Sequence, residues 1–240
     1  MEMNMFCYQC QETAKGVGCM LKGVCGKESH TAQAMDLLLL FVVRGVSVVT
    51  DALRKAGCPV PGEADVFVVD ALFSTITNAN FDDESILQRV DKGLALRNRL
   101  MDEAKRNNVF LPEVDELSWQ GTRADYAEKA KSVGVLREPD EDLRSLKELL
   151  TYGLKGMAAY LEHAMRLGFN DNDIHVFMQH ALATIPAARF GGRMDAVGAR
   201  SRRFRGKDHG AAGRGEYGNL WKSRNHQSEY RCQEPSGHPD

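Results

Sequence analysis

Apolar residues recur at helical spacing along most of this chain up to about residue 186. From about Thr31 to Ala56, Ala34, Leu38, Phe41, Val42 and Val46 fall near one face, and Gly57 closes the pattern, which predicts a long helix. Within it Leu37–Val43 is apolar without interruption. That run is far short of the about 18–20 residues a bilayer span needs, so it reads as a buried face. Pro59, Pro61 and Gly62 mark a turn. A second helix is predicted over about Ala64–Asn78. The segment Asn80–Asp83 supplies a break and an N-cap, and a third helix runs to about Asn107 with Ile86, Val90, Leu94, Leu96 and Leu100 as its apolar face. A polar connection with Pro112 leads to a short helix near Ala124–Ser132. Asp140 caps a long helix ending at Gly168, with Leu143, Leu146, Leu150, Leu154, Met157, Leu161 and Met165 as its stripe. Asp171 caps the last helix, to about Thr184. No stretch alternates as a strand does. The fold class is therefore mainly α: an N-terminal cysteine loop followed by helical bundles.

After Ile185 the pattern stops. Residues 187–240 are rich in Gly and Arg and poor in aliphatics. Composition alone reads them as an irregular or disordered basic tail. Three parts follow: a cysteine loop over 1–28, a helical-bundle domain over 29–186, and the tail over 187–240. With 43% apolar and 27% charged residues and a net charge of −2, composition is that of an ordinary globular protein. Such a charge gives no reason to expect nucleic acid or an anionic membrane as partner. The opening MEMNMF lacks the basic and apolar regions of a secretory signal, so a cytoplasmic, reducing location is expected.

Cys7, Cys10, Cys19 and Cys25 are spaced C-x2-C-x8-C-x5-C. Thiolate sulfur is a soft ligand, and four thiolates suit an iron–sulfur cluster or a structural zinc. Zinc sites usually show two separated C-x2-C pairs, and only the first pair here has that form, which favours iron and sulfur. Nuclearity stays open, since four thiolates also hold [2Fe–2S]. Disulfides are disfavoured in a reducing compartment. Lys15, Lys22 and Lys27 surround the cysteines as a solvated face or as charge that offsets a cluster's own. Phe6 and Tyr8 are expected to pack over the centre. Cys58 reads as a small, partly buried residue, and Cys232 is given no role. His163, His175 and His180 read as structural residues, and His30 as a cap or exposed residue. Gly16-x-Gly18 follows no strand, which argues against a nucleotide loop. The carboxylate pairs Asp82/Asp83 and Glu141/Asp142 stand at helix starts, where the helix dipole favours them.

The segment FCYQCQETAKGVGC followed by KGVCGK closely resembles the N-terminus of the hybrid-cluster proteins, also called prismane proteins or hydroxylamine reductases. The resemblance covers roughly residues 5–186. It implies that Cys7, Cys10, Cys19 and Cys25 bind a cubane [4Fe–4S] cluster whose role is electron transfer. It implies a parent activity that reduces hydroxylamine to ammonia and water, with nitric oxide reduction as an alternative, and a redox partner that supplies electrons. The family's second, hybrid iron–sulfur–oxygen cluster takes its His, Glu and Cys ligands, and its α/β domains, from later in the chain, and these are absent here. A stand-alone electron-transfer or cluster-sensing module and a zinc loop are the competing readings. QETAKG and KGVCGK argue against the related helical domain of carbon monoxide dehydrogenases. Back-translated with suitable synonymous codons and read in the second frame, Asp195–Asp240 also gives a tract resembling this family. The expectation is therefore an N-terminal fragment, itself inactive, whose tail is out of frame after a single-base slip near codons 186–194.

Overall fold

The computed structural model describes residues 5–10, 12–76 and 80–186; the expectations for residues 187–240, including Cys232, lie outside them. After the cysteine loop come α1 (Ser29–Lys55), α2 (Gly62–Phe73), α3 (Asp83–Arg106), α4 (Asp115–Ser118), α5 (Tyr126–Val133), α6 (Glu141–Arg166) and α7 (Asn172–Thr184). No strand of more than a single bridge occurs among the described residues. The fold is mainly α, as the hydrophobic spacing predicts.

Local chemistry sets several of these boundaries. Asp82, Asp140 and Asp171 each accept a hydrogen bond from a backbone N–H of the helix that follows, at Ser85 (3.0 Å), Leu143 (3.0 Å) and Asp173 (2.9 Å). The helix α2 stops at Phe73, short of the predicted Asn78. Ser74 and Thr75 turn their hydroxyls back onto the carbonyls of Ala71 and Leu72 (2.8 and 3.1 Å), and the Asn80 amide caps the carbonyl of Ser74 (3.1 Å). Hydroxyls used in this way compete with continued helix. The short α4 has no periodicity to announce it.

The centre of the bundle is α1. Its first half packs against α5, its middle against α3 and its second half against α7. Ala34, Leu38, Phe41, Val42 and Val46 are all buried. As a whole, α1 is long and apolar enough by length and composition to cross a membrane, which a count of uninterrupted apolar residues passes over. Its apolar window is 94% buried inside the protein, the condition of a core helix. The predicted face of α3 holds throughout: Ile86, Val90, Leu94, Leu96 and Leu100 are buried.

Gly93 allows α3 to lie close to its neighbours. A Cβ there would fall 2.4 Å from both Phe67 Cζ and Val42 Cγ1. Gly93→Ala is expected to destabilise the fold by about 1–3 kcal/mol through overpacking, less what alanine gains as a helix former. A lower urea midpoint with an unchanged slope would show it; a higher midpoint would mean that the neighbours yield.

The stripe on α6 is only partly a core face. Leu143, Leu154 and Leu161 are buried, but Leu146 is 45% exposed, and Thr151 and Lys155 are buried in its place. The cause is that α6 packs against α2 on one side and faces the cysteine loop on another.

At the far end, α7 is tied to α1 by polar pairs. Arg54 donates to Gln179 and Asp65, both at 2.6 Å, and His180 Nδ1 lies 2.9 Å from Asp51 Oδ1. Burial acts to raise the Asp51 carboxyl, but His180 and Lys55 outweigh it and hold it below the usual carboxylate value. A carboxyl lowered on folding contributes stability above its unfolded value and loses it as pH falls through the folded one. Asp51→Asn is thus expected to cost about 1–3 kcal/mol near neutrality. That cost should shrink as the medium is acidified below the ordinary carboxylate range, through the lowered value of the folded state. Urea unfolding of both proteins across that range checks the sign: a cost independent of pH would contradict it.

Candidate metal centre

The cysteine loop closes on itself by one antiparallel bridge. Cys7 N–H donates to the Cys19 carbonyl (2.9 Å), and Cys19 N–H donates to that of Cys7 (3.0 Å). A single 3-10 turn, Ala14–Gly16, reverses the chain between them. At Gly18 the backbone has φ +132°, and a Cβ would meet the Phe6 ring at 2.5 Å, so only glycine fits. Gly23 N–H donates to the Lys27 carbonyl at 2.8 Å and forms a second small turn around Cys25.

This geometry places the four cysteines on one loop with unequal exposure. Cys7 and Cys19 are buried in a small cluster with Met5 and Ala32, while Cys10 and Cys25 are half-buried; all four are free thiols. Burial pushes the Cys7 thiol up to about 11, against a lowering hydrogen bond from the Gln9 backbone. Among the described residues no three His, Cys, Asp or Glu side chains converge closely enough to hold a metal ion. The loop thus brings Cys7 and Cys19 together through their backbones and does not draw all four sulfurs onto one point.

The donor set nevertheless fits an iron–sulfur group in its chemistry. Ala14 N–H points at Cys19 Sγ (3.5 Å), the backbone-to-sulfur bond that tunes such centres. A Cβ at Gly23 would lie only 3.0 Å from Cys25 Sγ, so glycine leaves that sulfur room. Phe6 and Tyr8 stack with ring centroids 6.4 Å apart on the same loop, and Tyr8 is partly exposed.

Beneath the loop lies a buried polar group that hydrophobic patterning does not reveal. Gln9, between Cys7 and Cys10, donates from Nε2 to Asp36 Oδ1 of α1 (2.6 Å). The Lys155 ammonium of α6 donates to Gln9 Oε1 (2.8 Å) and to the Gln9 carbonyl (3.2 Å). Arg44 donates to Thr151 Oγ1 (3.2 Å) and lies 3.8 Å from Glu148. Burial, with Glu148 adding to it, pushes the Asp36 carboxyl up to about 7 against the pull of Gln9, Lys155 and Arg44. Burial likewise brings Lys155 down to about 8 against Asp36 and Glu148. Asp36 leads directly into the Leu37–Val43 segment, where α1 widens into a π-type turn, a distortion frequent at functional sites. One signal was available in advance: Asp36 and Arg44 are the charged residues in the otherwise uncharged stretch Thr31–Thr50.

Of the lysines around the cysteines, Lys22 is exposed and pairs with Glu28 (2.6 Å), whereas Lys27 is buried with its ammonium 3.0 Å from Met35 Sδ. His30 pairs with Asp83 (2.7 Å) and stays largely exposed; His163 packs edge-on against Phe73. His175 is buried, with Nε2 2.6 Å from Asn170 Oδ1, and Cys58 is half-buried in the turn after α1. These histidines serve the helices around them. A cleft of about 690 Å³ runs beside the loop, lined in part by Tyr8, Cys10, Leu136, Leu149, Tyr152 and Lys155.

The family model described as the Prismane/CO dehydrogenase family matches residues 5–191. The chain is 56% identical over 183 residues to a hydroxylamine reductase of Bacteroides thetaiotaomicron, covering 76% of this chain and 33% of that protein. A hydroxylamine reductase of Bacteroides fragilis is 55% identical over 184 residues, with the same 76% and 33% shares. One of Porphyromonas gingivalis is 51% identical over 183 residues, again at 76% and 33%. The chain thus spans about a third of the length of the curated relatives it matches.

Proposed function

Because this chain belongs to the Prismane/CO dehydrogenase family, we propose that its cysteine loop holds a [4Fe–4S] cluster and that the chain is the electron-transferring N-terminal part of a hydroxylamine reductase. The observation that carries this reading is the C-x2-C-x8-C-x5-C loop, folded with Cys7 and Cys19 paired above buried Lys27 and Lys155. Cys7, Cys10, Cys19 and Cys25 would be the ligands. When bound, such a cluster takes up and releases one electron at a time. The chain's own residues do the rest. Ala14 N–H bonds the Cys19 sulfur, Phe6 stacks with the partly exposed Tyr8 on the loop, and the two buried ammonium groups would oppose the cluster's negative charge.

Reduction of hydroxylamine takes two electrons and two protons to give ammonia and water, and in this reading it belongs to the longer parent protein. There a hybrid iron–sulfur–oxygen cluster, held by His, Glu and Cys residues of the longer parent, would supply the reducing chemistry, with electrons from a cytoplasmic redox partner. Nitric oxide is the alternative substrate of that parent. Residues 187–240 are proposed to be out of frame. Resequencing the gene across codons 180–245 tests this directly: one missing or extra base supports it, and a gene that stands as given, with no family-like tract in its second frame, refutes it. For the function itself, reduced viologen should bleach the reconstituted chain without consuming hydroxylamine, while the in-frame longer product consumes it. Turnover by the short chain alone, or none by the long one, would overturn the assignment.

A further inference from the structure

The strongest unassigned feature of the molecule is the buried triad of Asp36, Gln9 and Lys155. Burying an ammonium and a carboxylate is costly unless each is hydrogen-bonded, and both here spend their bonds on one residue, Gln9. Gln9 is neither a cysteine nor a general structural residue; it is one of the two positions inside the C-x2-C step. Its side-chain oxygen and its carbonyl both accept from Lys155, so the ammonium grips the backbone between Cys7 and Cys10 as well as the amide. Asp36 holds the other end of that amide, from the start of the π-type turn. The two anchors come from helices far apart in sequence, α1 and α6. Lys155 lies off the apolar stripe of α6, and Thr151 one turn earlier is buried on the same side.

We infer that Lys155 and Asp36 are positioning residues that clamp the Cys7–Cys10 step through Gln9, and that Lys155 also raises the reduction potential of the centre held there. This rests on the cluster reading above. Groups that orient metal ligands without touching the metal typically cost about 10–100-fold in metal affinity when removed. Positive charge set close to an iron–sulfur centre favours the more negative, reduced state.

The test uses the full chain with four variants: Lys155→Met, Lys155→Arg, Gln9→Met and Asp36→Asn. In metal-free protein, amide hydrogen exchange across residues 7–10 should quicken in Lys155→Met and Gln9→Met relative to wild type and remain near wild type in Lys155→Arg. In reconstituted protein, iron should be lost to a chelator about 10–100-fold faster in Lys155→Met, Gln9→Met and Asp36→Asn. The midpoint potential, read by spectroscopic titration, should fall in Lys155→Met and be restored in Lys155→Arg. A purely structural lysine would not move the potential with charge. Unchanged exchange across residues 7–10, or iron loss at the wild-type rate, overturns the clamp, and equal potentials in Lys155→Met and Lys155→Arg overturn the charge role. A wild-type chain that takes up no iron and sulfide removes the cluster reading and with it the charge role, while the exchange arm still decides the clamp. Should Lys155→Met fail to fold, Gln9→Met and Asp36→Asn carry the same exchange and iron-loss comparisons without removing the buried ammonium.

Discussion

Replacing any one of Cys7, Cys10, Cys19 or Cys25 by serine is expected to abolish the brown chromophore of the reconstituted chain, whereas Cys58→Ser leaves it intact. Serine keeps the size of the side chain but replaces a soft, anionic sulfur by a hard hydroxyl that stays protonated near neutrality. A cluster held by three thiolates has an open corner facing solvent at the half-buried Cys10 or Cys25. At Cys7 and Cys19 the backbone bridge survives the substitution, because it is made by N–H and carbonyl groups alone. Loss of iron at those two positions would therefore report ligation and not collapse of the loop. Iron content after gel filtration is the readout. About four iron atoms per chain in Cys58→Ser and near none in the other four is the expected pattern. Retention of iron by Cys7→Ser or Cys19→Ser would remove that residue from the ligand set.

The largest effect on stability is expected at Arg97. This side chain is 1% exposed, yet among the described residues no carboxylate pairs with it. Its guanidinium donates to the carbonyls of Glu116 (2.8 Å) and Trp119 (2.9 Å) and to Asn98 Oδ1. It thereby fastens α4 and the turn after it onto α3. Burial holds it below its usual value, with Tyr126 opposing. Trp119 in turn meets Phe41 of α1 edge-on, with centroids 5.7 Å apart, so the fastened segment closes one side of the core. Arg97→Met keeps most of the volume and strips the donors, leaving two carbonyls short of partners at about 1–3 kcal/mol each. A loss of about 2–5 kcal/mol in urea unfolding is expected, with raised amide exchange over residues 115–120. A variant as stable as wild type would mean that water reaches those carbonyls.

What could be read in advance was whatever acts over a few residues. Asp82, Asp140 and Asp171 announced their helices because a capping carboxylate bonds two or three residues ahead. The α3 face was legible because Ile86, Val90, Leu94, Leu96 and Leu100 recur at helical spacing and are all buried, whereas buried Arg97 on the same helix was not. Type and spacing singled out the cysteines as a candidate ligand set, and the structure sets them on one loop closed by the Cys7–Cys19 bridge. Lys155 was not, because its partner Gln9 is 146 positions away and its helix reads as an ordinary amphipathic one. Leu146 failed for the converse reason: it sits on the predicted stripe, but no element of the described bundle covers it. The end of α2 was missed because Ser74 and Thr75 decide it through their hydroxyls and not through hydrophobicity. Lys22 and Lys27 flank the same cysteine, and only the fold separates the exposed one from the buried one.

Whether the cysteine loop holds a cluster is decided by the iron and acid-labile sulfide content of the full chain after anaerobic reconstitution, read with the electron paramagnetic resonance spectrum of the dithionite-reduced protein. About four iron and four sulfide per chain, with a half-integer-spin signal that appears on one-electron reduction, is the predicted result. A colourless chain carrying one zinc and no sulfide would contradict it, and would leave the four cysteines holding together a helical bundle with no electron to carry.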